Sequence, residues 1–166
     1  MSDIRKSAFP PVVSPHTRVL ILGSLPGEAS LAAQRYYAHP QNQFWRLAGA
    51  VVGREDLPAL DYDARLAALL ESGVGLWDTV ASALRSGSLD AAIREPEHAP
   101  LADLVATLPM LRAVAFNGST SARIGRGLLA DASVRLVDLP SSSPAYAAMP
   151  FAEKRSCWLI LRDFLT

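Results

Sequence analysis

Cysteine is almost missing. Cys157 is the single thiol in 166 residues, so no disulfide framework and no thiolate metal cluster can form. Histidine is nearly as scarce, and His16, His39 and His98 lack the spacing of a metal site; neither a metal nor a cofactor is expected. There is no excess charge either, because 16 Lys and Arg balance 16 Asp and Glu. That balance gives no net electrostatic pointer to nucleic acid and counts mildly against a strong, non-specific DNA binder, although a local patch can still grip a few phosphates. No N-terminal basic-plus-apolar signal and no apolar run long enough to span a bilayer is present. No repeat and no coiled-coil pattern is found. These absences lead to the expectation of a soluble, cytoplasmic monomer.

Hydrophobic residues, by contrast, make up 50% of the chain, enough for one domain over 1–166 with a full core. Residues 1–16 read as an irregular lead-in, broken by Pro10, Pro11 and Pro15. Short apolar runs predict buried strands over Arg18–Leu22, Val74–Trp77, Ala113–Phe116 and Val134–Leu139. Helices are expected over Phe44–Val52, Tyr62–Glu71, Leu101–Leu108, Ser119–Ala130 and Phe151–Leu165. In Tyr62–Glu71, for example, Leu66, Leu69 and Leu70 share one face. The stretch Ala83–Pro100, with Arg85, Arg94 and His98, is read as a loop that is solvated or touches phosphates. Alternating strands and helices predict an α/β fold, a three-layer α/β/α sandwich with a small, mostly parallel central sheet.

The most informative segment follows the first of these strands. Leu22 leads into Gly23-Ser24-Leu25-Pro26-Gly27, and a polar, aromatic loop runs on to Tyr37-Ala38-His39-Pro40-Gln41-Asn42-Gln43-Phe44-Trp45. Open α/β sheets carry their ligand sites at such strand ends. The Gly23–Gly27 turn matches neither a P-loop nor a dinucleotide fingerprint, so a site for a phosphorylated metabolite is disfavoured.

These two stretches together resemble the first motif of mismatch-type members of the uracil-DNA glycosylase superfamily. Two further blocks stand in the right order: Ala115-Phe116-Asn117-Gly118, and Leu139-Pro140-Ser141-Ser142-Ser143-Pro144-Ala145. The Ser-rich third block and Gly73-Val74-Gly75-Leu76-Trp77-Asp78 are most similar to the hypoxanthine (deoxyinosine) DNA glycosylase branch. The likeness runs from about Pro11 to the C-terminus. It implies hydrolysis of the N-glycosidic bond of a deaminated base in DNA, hypoxanthine first and uracil second. A uracil or mismatch glycosylase, or a nucleic-acid-binding module that lost catalysis, remain the alternatives. No Lys occupies the motif loops, so a Schiff-base lyase step is not expected.

Cleaving that bond builds positive charge on the sugar and negative charge on the base, after the nucleotide has rotated out of the stack. The resemblance gives each required part a residue. Asn117 reads the base edge, since an amide offers a donor beside an acceptor; the bland reading is a turn before Gly118. Tyr37 provides the stacking face, with backbone N–H groups of Ser24 and Leu25 near a base carbonyl. Phe44 and Trp45 are assigned to the core. Mismatch-specific enzymes carry Asn where this chain has Leu25, and no acid occurs from Gly23 to Gly27. The resemblance to the hypoxanthine branch implies that the water-positioning duty passes to the Asn of His-Pro-x-Asn, Asn42 here, where it competes with a helix-capping role for the same side chain. His39 either points a donor at the slot or braces the loop. Glu28, Asp78 and Asp138 lie next to these loops, where an acid can act as base or electrostatic stabiliser, but each is read as a solvated surface acid.

The third block implies DNA binding by Ser141, Ser142 and Ser143 through phosphate contacts. Relatives carry His or Asn where this chain has Ser141, and a bulky wedge where it has Ala145. Either Tyr146 fills the space left by the flipped nucleotide or insertion is shallow.

Overall fold

The computed structural model describes residues 5–166. In chain order the elements are β1 (Arg5–Ser7), β2 (Val19–Gly23), α1 (Glu28–Ala33), α2 (Phe44–Val52), α3 (Tyr62–Glu71), β3 (Val74–Asp78), β4 (Val80–Leu84), β5 (Arg94–His98), α4 (Leu101–Ala106), β6 (Ala113–Asn117), α5 (Ser119–Leu128), β7 (Arg135–Leu139) and α6 (Phe151–Trp158), with short 3-10 turns at Leu57–Ala59, Asp90–Ala92 and Leu159–Phe164.

Four strands form a wholly parallel sheet in the order β3-β2-β6-β7. The central β2 and β6 are buried along their whole length, because both faces of a parallel sheet are covered and alternation with polar residues disappears. Val19 and Ile21 point to one face, where Phe44, Trp45, Leu47, Leu69 and Trp158 complete a core with α2, α3 and α6. Leu20 and Leu22 point to the other, against Val114, Phe116 and Leu101. The expected sandwich with helices on both faces is therefore present. α2 and α3 occupy the predicted residues, and Asp61 caps α3 by accepting from the Ala64 N–H at 3.0 Å.

Several expectations needed correction. The lead-in is not irregular throughout: Arg5–Ser7 pairs antiparallel with β4. Residues 1–4 of that lead-in lie outside the described residues. The expected loop at Ala83–Pro100 instead contributes to β4 and forms β5, which pair antiparallel and complete a three-stranded sheet in the order β1-β4-β5. β5 reads Arg-Glu-Pro-Glu-His and every residue is exposed. Its edge position tolerates Pro96 and lets backbone pairing stand without an apolar face. α1 was not anticipated. The C-terminal helix converts from α to 3-10 at Leu159, and α4 and α5 each stop two residues before the expected end.

β3 passes into β4 through Thr79 alone. The Thr79 and Val80 N–H groups donate to the carbonyls of Gly23 and Ser24 at 2.8 and 2.9 Å. The second sheet is thereby fixed to the exit of β2, where the cavity described next opens.

Candidate active site

A cavity of about 450 Å³ lies at the carboxyl ends of β2, β3 and β6. It is large enough for a small organic ligand. Its walls bring together all eleven sequence-predicted site residues. The β2 exit supplies Ser24 and Leu25, the loop before α2 supplies Tyr37, His39 and Asn42, and β6 supplies Asn117. The loop after β7 supplies Ser141, Ser142, Ser143, Ala145 and Tyr146.

Tyr37 is held as a flat platform. Its ring stacks on Phe44 with centroids 3.8 Å apart and planes 11° from parallel, and Trp45 Nε1 donates to its carbonyl at 3.1 Å. Its backbone is left-handed at φ 53°, unusual for an aromatic residue. Burial raises the Tyr37 hydroxyl pKa, with Asp78 adding to the effect, so the hydroxyl remains a donor. Phe44 is fully enclosed and Trp45 nearly so, which matches their assignment to the core.

Three polar side chains are linked in one directed chain. Asn117 Oδ1 accepts from the Ser142 N–H at 2.9 Å, so its Nδ2 must face Ser142 Oγ, to which it donates at 2.9 Å. Ser142 Oγ–H then donates to Asn42 Oδ1 at 2.8 Å. That same oxygen accepts from the Phe44 N–H at 2.9 Å. Backbone N–H groups at both ends thus settle which way each amide points. The cap position of α2 falls to Gln43, and no side chain caps the helix; Asn42, one residue earlier, closes a local turn onto the Phe44 N–H and also joins the third loop, and it lines the cavity. Gln43 strengthens the junction by donating its N–H to the Ser142 carbonyl at 3.0 Å.

Ser142 is buried, and its hydroxyl and N–H are both engaged within the protein. Ser141 Oγ accepts from the Ser143 N–H, and Ser143 Oγ from the Ala145 N–H, each at 3.1 Å. These local bonds give the loop a fixed shape while both hydroxyl hydrogens stay available. Gly118 turns β6 into α5 at φ 101°, and a Cβ there would sit 3.3 Å from Ser141 Cβ. His39 is exposed and braces its loop: Nδ1 accepts from the Gln41 N–H at 3.1 Å and the carbonyl from the Asn42 N–H at 3.0 Å. The Ser24 hydroxyl donates to Asp90 Oδ1, another cavity residue, at 2.5 Å, and Leu25 packs inward with Val80 and Ile124.

Of the three acids read as solvated, Glu28 and Asp138 are exposed, forming surface ion pairs with Lys6 and Arg126. Asp78 overturns its expectation. It is 4% exposed, it lines the cavity, and its carboxyl is pushed up to about 7, first by burial and then by Asp90, with Arg85 opposing. Arg85 is also buried rather than solvated; its guanidinium donates to the carbonyls of Leu25 and Pro26. The sequence signal for Asp78 was its place at the end of an apolar strand, beside Gly23 in the parallel register.

A parallel sheet with an aromatic and amide-lined cavity at its carboxyl edge defines an α/β protein whose cavity lies where open α/β sheets carry their ligand sites. The family model described as the Uracil DNA glycosylase superfamily matches residues 10–163, and the chain belongs to that superfamily. It is 43% identical over 118 residues to a protein of Methanosarcina barkeri (strain Fusaro / DSM 804) named hypoxanthine DNA glycosylase, covering 71% of this chain and 74% of that one. A protein of the same name from Methanosarcina acetivorans is 39% identical over 140 residues, covering 84% and 87%. A solution NMR structure from Methanosarcina acetivorans, provisionally called a uracil DNA glycosylase, superposes with a TM-score of 0.87. It has 34% sequence identity and covers 98% of this chain and 99% of its own.

Proposed function

We propose that the chain is a monofunctional DNA glycosylase, a monomer acting as one domain. It hydrolyses the N-glycosidic bond of a deaminated base, hypoxanthine before uracil, in a nucleotide rotated into the cavity. The observation that carries this reading is the convergence of the Tyr37 platform and the Asn42–Ser142–Asn117 chain on one cavity with room for a flipped base. Membership of the superfamily and two relatives named hypoxanthine DNA glycosylase support it.

In this mechanism the base slides against the face of Tyr37 opposite Phe44, and stacking favours the flipped state. Asn42 Nδ2 presents a preorganised donor, with its oxygen tied to Ser142 and Phe44. It holds the oxygen of the attacking water and needs no reorganisation during reaction. Asn117 keeps Ser142 in place and approaches the base only through its second N–H, which points towards Tyr37 Oη at 3.4 Å. Backbone at Ser24 and Leu25 borders the base carbonyl. Phosphate contacts fall to Ser141 and Ser143 rather than to the enclosed Ser142. Ala145 is too short to replace a base in the stack, so Tyr146, exposed on the rim, enters the gap.

The test is alkaline cleavage of labelled oligonucleotides carrying one deoxyinosine, deoxyuridine or deoxyxanthosine, each single- and double-stranded. Abasic-site formation at deoxyinosine well above deoxyuridine is the expected result. Cleavage mainly at deoxyuridine would transfer the substrate to uracil. A folded protein that binds DNA and cleaves none of them would be a binding module.

A further inference from the structure

Among the described residues, four large hydrophobic side chains are exposed: Leu89, Met110, Tyr146 and Ile160. Single exposed apolar residues are ordinary on a protein surface, but two of these four, Leu89 and Tyr146, line the same cavity. Tyr146 already has a part in the mechanism above. Leu89 has none, and at 60% it is the most exposed of the four.

Leu89 stands on the connection between β4 and β5, which is tied to the exit of β2 on either side of it. Ser88 Oγ accepts from the Glu28 N–H at 2.9 Å, and Asp90 Oδ1 accepts from the Ser24 hydroxyl at 2.5 Å. Just before them, Arg85 donates to the carbonyls of Leu25 and Pro26. The fit is close, since a Cβ at Gly27 would lie 3.2 Å from Ser88 Oγ. Leu89 itself has extended backbone, with φ −78° and ψ 137°, in which successive side chains point to opposite sides. Ser88 and Asp90 turn to the 24–28 segment, and Leu89 turns away from it at the cavity mouth. An apolar group is thus held at the mouth by tied neighbours, and little ordering is left to do when a ligand arrives.

The chemistry of this connection limits what Leu89 can touch. Ser86–Asp90 contains no Lys or Arg, and its one charged residue is an acid, so it does not take a phosphate. With the base against Tyr37, the deoxyribose that joins it to the DNA lies at the mouth, because the phosphodiester chain stays outside. The sugar is the uncharged part of the nucleotide within reach of an apolar side chain there.

The geometry points to Leu89 as a substrate-binding residue that closes on the deoxyribose of the extruded nucleotide. The assignment rests on the glycosylase reading above and divides the mouth between two side chains. Tyr146 fills the space left in the duplex, and Leu89 holds the nucleotide that has left it. Leu89 makes the same contact before and during bond cleavage, so it adds to binding and not to the chemical step.

Steady-state cleavage of single- and double-stranded deoxyinosine oligonucleotides (deoxyuridine, if that is the better substrate) by the wild type, Leu89→Ala, Leu89→Asn and Leu89→Met tests this. Equilibrium binding to ordinary DNA of the same sequence completes the set. Leu89→Ala should raise KM by about 5–20-fold on both strand forms and leave kcat within about twofold, as for loss of one apolar contact. Leu89→Asn, similar in shape but polar, should lose as much, while Leu89→Met should stay within about twofold of wild type. Thermal melting and affinity for ordinary DNA should not change, because the side chain is exposed and no nucleotide is extruded. An unchanged KM in Leu89→Ala would overturn the assignment. So would a loss confined to the duplex, which would make Leu89 a second wedge in the stack, or an equal loss of affinity for ordinary DNA. A fall in kcat at unchanged KM would overturn it too, since Leu89 would then act by shaping the site. A wild type that cleaves neither deoxyinosine nor deoxyuridine would overturn the glycosylase reading itself and this assignment with it. An active wild type matched by Leu89→Ala overturns only the assignment.

Discussion

Ser142 Oγ lies 2.8 Å from Asn42 Oδ1, a bond that joins loops 100 residues apart and fixes the direction of the site's hydrogen-bonded chain. The same hydroxyl accepts from Asn117 at 2.9 Å, so one buried serine holds two amides in place. Ser142→Ala removes both bonds while leaving the backbone contacts. A stability loss of about 1–3 kcal/mol is expected, since Asn117 Nδ2 is left short of an acceptor. Cleavage should slow by roughly tenfold or more, mainly in kcat, because Asn42 loses its constraint without leaving the site. Thermal melting and steady-state kinetics on a deoxyinosine duplex check both parts.

Asn42→Ala asks more of the chemistry. Loss of one preorganised donor costs on the order of 10²–10³ in rate, while the DNA-facing serines are untouched. Slow cleavage with near-normal affinity for an uncleavable deoxyinosine analogue is the expected pattern. Affinity falling in proportion to the rate would mean that Asn42 acts only by shaping the loop.

Tyr37 separates stacking from hydrogen bonding. Tyr37→Phe keeps the ring on Phe44 and loses only a long 3.4 Å contact with Asn117, so its activity should change little. Tyr37→Ala removes the platform and should weaken substrate binding by roughly 10–100-fold, the equivalent of about 1–3 kcal/mol of stacking. Equilibrium binding to deoxyinosine DNA, with melting as a check on the core beside Trp45, measures the difference.

Tyr146 is expected to matter only where there is a stack to repair. Tyr146→Ala should reduce cleavage of a deoxyinosine duplex by about tenfold and leave a single-stranded substrate nearly unaffected, since unstacking costs a few kcal/mol only in a duplex. Equal loss on both substrates would assign Tyr146 to shaping the cavity.

How much of this was legible depended on where the determining contacts lie. β2, β3 and β6 were readable because a buried parallel strand writes itself as a short apolar run, and the edge strand β7 through Leu136, Val137 and Leu139 although Arg135 and Asp138 are exposed. α2 was readable as an apolar run that is buried nearly all round, and α3 because one face of it is apolar. β5 was not, because Arg94–His98 owes its conformation to backbone pairing with β4 and presents no buried face. The cavity residues were found through motif order, but their roles were only partly visible. Nothing local distinguishes Ser142 from Ser141 and Ser143; its partner Asn117 is 25 residues away, and Asn42 is 100. Asp78 looked like any acid after a strand until Gly23, Tyr37 and the β3–β4 junction closed around it.

That enclosure also makes Asp78 a determinant of stability. Its pKa is about 7 in the folded chain against 3.8 for the free carboxyl, so between those values the folded state holds a proton that the unfolded state has released. Stability from this group is therefore complete below about pH 4, declines as pH rises towards 7 and is lost above it. Asp78→Asn removes the dependence while preserving shape. The variant should melt progressively higher relative to wild type as pH increases from 4 to 8, by an amount corresponding to a few kcal/mol at the top of the range. Subtracting the two melting profiles cancels the other carboxylates, including Asp56, whose exposed pair with Arg54 acts in the opposite direction. A pH-independent difference between wild type and Asp78→Asn would show that the buried carboxyl does not titrate in this range.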